Sequence, residues 1–125
     1  MSEKLYENDY FYILKEESTI PWVKIFTTKP YKELSDCDDA TREAILKAML
    51  IVEQEMILYY QPEKINIALF GNYVPLVHIH VMARFKEDSH FPESMWGIKQ
   101  REASLSLPDF GTFVTSLHKK LLHFW

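Results

Sequence analysis

The run Val74 to Arg84, V-P-L-V-H-I-H-V-M-A-R, alternates without a break. Val77, Ile79, Val81, Ala83 and Phe85 fall on one side of an extended chain. Leu76, His78, His80, Met82 and Arg84 fall on the other. Period two is the signature of a strand, predicted here over Leu76 to Phe85. The first side is wholly apolar and is expected to face a core. The second carries two imidazoles and a guanidinium, a set suited to an anionic ligand. His78 and His80 then share a face, with Cα atoms about 6.6 Å apart.

The rest of the chain divides by the same criteria. Tyr10 to Lys15 and Trp22 to Thr28 read as strands joined by the polar break Glu16 to Pro21, a hairpin. Asp39 to Tyr60 reads as the main helix, with Asp38 or Asp39 as its cap, Glu43 in its first turn and Pro62 as its stop. Its apolar residues Ile45, Met49, Val52, Met56 and Tyr59 recur at spacings of three and four. Leu46, Leu50 and Ile57 widen that stripe, so cover on more than one side is expected. Lys64 to Phe70 is a third strand, followed by a Gly71-Asn72 turn into the histidine strand. Lys86 to Pro108 has weak periodicity, and a connection of that length in a small domain is usually functional or docked. Thr112 to Phe124 is a second helix with Val114, Leu117, Leu121 and Phe124 on one face. The expected fold is α+β: an antiparallel sheet with a long central helix and a C-terminal helix, one domain over 1–125.

Composition narrows the function classes. A net charge of −4 disfavours non-specific nucleic-acid binding, which relies on a basic surface. No apolar run reaches transmembrane length, and the acidic start M-S-E-K-L-Y-E-N-D-Y lacks a signal-peptide pattern. Cys37 is the single cysteine, which excludes an intrachain disulfide and fits a reducing compartment. A cytoplasmic protein without a membrane or nucleic-acid partner is the expectation.

Three readings of the histidine pair compete. The two rings fill space; or they ligate zinc; or they act on phosphate. Zinc needs a third and usually a fourth ligand, and Cys37, His90, His118 and His123 offer no ligand spacing. Phosphate chemistry suits the pair better. With a pKa near 6.5, roughly three quarters of an ordinary imidazole is neutral at pH 7. It attacks phosphorus when one nitrogen is free and the other is held as N–H, for which a carbonyl two residues back is available. The second imidazole, protonated, stabilises oxyanion charge or protonates a leaving group.

The segment Leu76-Val77-His78-Ile79-His80-Val81-Met82-Ala83-Arg84 resembles the histidine triad (HIT) family of nucleotide hydrolases and transferases. The family pattern is His-φ-His-φ-His-φ-φ with φ apolar, often followed by Pro-Arg. Element order agrees over nearly the whole chain. The runs K-I-N-I-A-L-F-G-N-Y-V-P, H-I-H-V-M-A-R-F-K-E-D and F-P-E-S-M-W-G look like a bacterial, diadenosine-polyphosphate-hydrolase-like branch. There the first triad position is commonly Gln. The resemblance implies that His78 is the nucleophile forming a nucleotidyl intermediate at the α-phosphate and that His80 contacts phosphate. It places Gly71 and Asn72 at a phosphate-binding turn, where backbone N–H groups also make an anion nest on physical grounds. The alternative there is a plain turn.

The resemblance places Glu16 where a ribose-binding acid sits; an exposed turn acid is the alternative. Asn66 faces the nucleotide or satisfies a sheet edge. Trp22 and Ile25 line a base pocket or pack in the core. Arg84 contacts ligand or closes a salt bridge at the sheet end, and Trp96 anchors the late segment over the domain or across a dimer interface. The implied substrate is a purine nucleotide, as a dinucleoside polyphosphate or a nucleoside phosphoramidate. No resident metal or cofactor is implied, Mg2+ entering only with the nucleotide, and a homodimer is expected. Two departures stand out: Leu76 occupies the first triad position, and Tyr31 stands where many members carry a further active-site His. These favour either a slow or narrow enzyme, or a nucleotide-binding module that acts through a protein partner.

Overall fold

The computed structural model describes residues 3–125. Five strands form one antiparallel sheet in the order β1-β2-β3-β5-β4. They are β1 (Lys4–Glu7), β2 (Phe11–Lys15), β3 (Trp22–Thr27), β4 (Lys64–Ala68) and β5 (His78–Arg84). The helices are α1 (Asp39–Tyr60) and α2 (Phe110–Phe124). The hairpin of β2 and β3 forms as expected, pairing Phe11 with Thr27 and Lys15 with Val23. The strand β1 was not expected. Its K-L-Y-E sequence is too short and too polar to announce itself, and it holds the sheet edge by pairing with β2. A single 3-10 turn, Leu34–Asp36, precedes α1.

The histidine strand occupies the centre of the sheet. β5 lies between β3 and β4, and all seven of its residues are buried. The apolar alternation does what period two requires. Val77, Ile79, Val81 and Ala83 join Val23, Ile25, Phe11 and Ile13 in the core beneath α1. Burial of each larger member stabilises the fold by about 1.5–3 kcal/mol.

Helix α1 starts where Asp38 accepts the Thr41 N–H at 2.9 Å and ends at Gln61, in the left-handed region at φ 50°, ahead of Pro62. Its buried stripe runs through Ala44, Ile45, Ala48, Ile51, Val52, Met56 and Tyr60. The wider apolar cover expected of Leu46, Leu50 and Ile57 is not supplied by the described residues: Leu50 is 51% and Ile57 47% exposed. On α2 Leu117 and Leu121 are buried as expected and are joined by Phe113, whereas Val114 packs only partly against the core and Phe124 is exposed.

From 85 to 109 the chain runs without helix or strand. It is nevertheless pinned. The Asp88 carboxylate accepts from Arg84 Nε at 2.9 Å and Nη2 at 3.1 Å, and from the backbone N–H groups of Phe85, His90 and Phe91. Burial acts to raise the Asp88 pKa, but the hydrogen bonds from Arg84 and these three N–H groups outweigh it and hold it at about 2. No helix among the described residues is long and apolar enough to cross a membrane.

Candidate functional site

The polar side of β5 opens into a cavity of about 360 Å³. Strand register decides what faces it. Across from His80 stands Lys24, and across from His78 stands Phe26. Both cavity-facing residues of β3 were missed from the sequence. The turn after β4 supplies Phe70, Gly71, Asn72, Tyr73 and Val74, and the pinned segment supplies Trp96. Gly71 has φ +74°, a region that L side chains rarely adopt, so the tight turn beside the histidines depends on it.

His78 Nδ1 lies 2.8 Å from the Leu76 carbonyl oxygen. A carbonyl only accepts, so Nδ1 carries a proton, and in the neutral ring Nε2 keeps its lone pair. The ring is held flat against Phe26, centroids 4.7 Å apart and planes 12° apart. His80 stands beside it, ring centroids 5.0 Å apart. Its Nδ1 accepts from the Trp22 indole N–H at 3.0 Å. Burial first, then the charges of His78 and Lys24, push the His80 pKa down to about 4, with Glu16 opposing. The protonated second imidazole expected from sequence is therefore corrected to a neutral one near pH 7. The cation beside the pair is Lys24, whose Nζ sits 2.8 Å from Glu16 Oε1.

Of the residues singled out from sequence, the fold brings His78, His80, Gly71, Asn72 and Glu16 to the cavity. Trp22 stands behind His80, packed with Ile20 and Met82, and acts on the cavity through its hydrogen bond. For three residues the structure decides between the two roles the sequence left open. Ile25 pairs with Ile79 on the core face and is fully buried, so it lines no base pocket; two positions of odd separation, Trp22 and Ile25, cannot share a face of one strand. Arg84 is 1% exposed and spends its donors on Asp88, on Asn66 Oδ1 at 2.8 Å and on the Glu93 carbonyl at 2.7 Å. Asn66 is thereby committed to Arg84 rather than to the cavity. Tyr31 is packed against the core, its carbonyl accepting from the Val77 N–H.

Trp96 forms the cavity's outer wall. Its ring meets His80 edge-on at 5.0 Å and Phe70 at 4.9 Å. The signal for Lys24 and Phe26 was present in the alternation of β3, but only its pairing with β5 shows which of its two faces meets the histidines. A larger groove of about 670 Å³ along α1 and the end of α2, lined by Leu46, Leu50, Leu58 and Phe124, holds no imidazole or thiol.

Residues 1–87 match the family model of the HIT domain. A histidine triad protein from Bradyrhizobium japonicum superposes with a TM-score of 0.79 at 24% identity, over 96% of this chain and 90% of that one. Another from Marinobacter aquaeolei VT8 gives 0.76 at 22%, over 98% and 90%. A third, from Sinorhizobium meliloti 1021, gives 0.73 at 18%, over 98% and 88%. At these identities the likeness shows the fold. No curated protein matches the chain.

Proposed function

This chain belongs to the histidine triad family, and on that premise we propose that it binds a purine nucleotide around His78 and His80 and cleaves it at the α-phosphate. The observation that carries this reading is the Nδ1 contact of His78 with the Leu76 carbonyl, which leaves Nε2 free as a nucleophile. The Nε2 lone pair forms a bond to the α-phosphorus. The bond from phosphorus to the leaving group breaks, and its electron pair departs with that group. Water then attacks the nucleotidyl-His78, the P–N bond breaks with its electron pair returning to Nε2, one proton of the water passes to solvent, and a nucleoside monophosphate leaves with His78 restored. His80 contacts the phosphate, Gly71 and Asn72 border it, and Lys24 offsets its charge. Glu16 accepts from the ribose hydroxyls. The dinucleoside polyphosphates and the nucleoside phosphoramidates are the candidate substrates, and Mg2+ enters only as their counter-ion.

A second reading rests on Leu76. Its carbonyl serves His78, but its side chain cannot hydrogen-bond, so a polar relay through that position is lost. A nucleotide-binding module with little turnover, acting through a protein partner, follows from it. AMP release from diadenosine polyphosphates and adenosine phosphoramidate, by wild type and His78→Ala side by side, separates the two. Release that vanishes in the variant, with wild type labelled covalently at His78, supports the enzyme. Adenine-nucleotide binding without labelling or release supports the module.

The same premise supports a homodimer in which a second copy covers the apolar side of α1 around Leu50, Ile57 and Leu58.

A further inference from the structure

The two imidazoles of the cavity come from one strand, yet opposite kinds of group hold them. The Leu76 carbonyl can only accept, so His78 is protonated on Nδ1. The Trp22 indole N–H can only donate, so His80 carries its lone pair on Nδ1, and the proton of the neutral ring sits on Nε2. We propose that Trp22 is a positioning residue that fixes His80 as a neutral Nε2–H donor, so that the cavity presents a complementary pair: a lone pair on His78 and a hydrogen-bond donor on His80.

The setting of Trp22 supports the role. Its side chain is 9% exposed and wedged among Ile20, Met82 and the edge of Trp96, so the ring is held against rotation away from His80. The groups facing His80 are few. Lys24 stands opposite on β3, with Glu16 paired to it. His78 is the neighbour along β5. On the remaining sides lie Ala68 of β4 and Trp96, both uncharged. Burial, then His78 and Lys24, disfavour a charge on His80, and protonating Nδ1 would set it donor to donor against the indole. The arrangement gives the phosphate a neutral hydrogen bond from His80 and leaves the positive charge to Lys24.

The catalytic use of the pair rests on the proposed function, whereas the tautomers are a property of the free protein. Long-range proton–nitrogen correlation spectra of the full chain, labelled with 15N at histidine and tryptophan, test it directly from pH 4 to 8. His80→Leu identifies the His80 signals. In wild type at pH 7 the His78 proton is expected on Nδ1 and the His80 proton on Nε2, with His80 neutral down to pH 5. In Trp22→Phe, which keeps an aromatic ring but loses the donor, His80 is expected to titrate at least one pH unit higher, toward the ordinary value near 6.5. His78 keeps its Nδ1–H signature as the control for folding.

If Trp22→Phe does not fold, the Trp22 indole proton decides the matter. It must lie downfield in wild type and move upfield in His80→Leu. A wild-type His80 protonated on Nδ1, an imidazolium at pH 6.5, an unchanged titration in folded Trp22→Phe, or an indole proton indifferent to His80 overturns the proposal. The expected tautomers together with no covalent labelling of His78 would refute the proposed reaction and leave the assignment of Trp22 standing.

Discussion

Replacing Asp88 by Asn removes one charge from a pair that water does not reach. Asp88 is 0% and Arg84 1% exposed. Each carboxylate oxygen of Asp88 is enclosed by donors: Oδ2 takes Arg84 Nε and the Phe85 N–H, and Oδ1 takes Arg84 Nη2 and the N–H groups of His90 and Phe91. Whichever way the Asn amide is turned, its NH2 meets donors, and the guanidinium is left uncompensated. Breaking such a pair costs about 3–5 kcal/mol. In urea, with a slope of about 2 kcal/mol per molar, that moves the unfolding midpoint down by roughly 2 M.

The pH dependence of Asp88→Asn supplies a second, sharper check. The folded pKa of Asp88 is about 2, below its reference value of 3.8. Between those values the unfolded chain binds the extra proton, so stability rises with pH. The contribution is complete above about pH 5 and is lost as pH falls through 2. Nearly two pKa units correspond to roughly 2–3 kcal/mol. The gap between wild type and Asp88→Asn should therefore be widest at pH 5–7 and narrow by roughly 2 kcal/mol at pH 2, where the folded carboxylate is half protonated. A loss under about 1 kcal/mol at pH 7, or a gap that stays constant to pH 2, would refute this account of the buried pair. Because the same carboxylate pins the segment carrying Trp96, the variant at pH 7 should also bind adenine nucleotides more weakly.

Two further outcomes follow from the cavity. Lys24→Met should weaken AMP binding about tenfold at low salt, roughly 1.4 kcal/mol, with a smaller effect at high salt; calorimetric titration showing equal affinity would remove Lys24 from the phosphate site. Gly71→Ala puts a Cβ 3.4 Å from the Val74 carbonyl at φ +74°, so a stability loss of about 1–2 kcal/mol and weaker nucleotide binding are expected from thermal melts and the same titration.

Sequence pattern made the strongest local periods legible. The alternation of β5 put His78 and His80 on one face, with Val77, Ile79 and Val81 on the other. Asp38 and Pro62 bounded α1 because capping and the missing proline N–H act within a turn. Identification of the family followed from the same strand. Partners far apart in the chain were decided only on folding. A strand's period tells which residues share a face, not which face meets the neighbouring strand. Trp22 and Ile25 were grouped against that period, whereas the placement of Lys24 and Phe26 in the cavity was decided only by pairing with β5. Arg84 had the composition of an anion site, but Asp88 lies near enough after the strand to claim its donors. His80 had an ordinary imidazole's prospects until an indole 58 positions away was set against its Nδ1. The contact of Trp22 with His80 is chosen by the packing of β3 against β5, and local sequence carries no energy term that anticipates it.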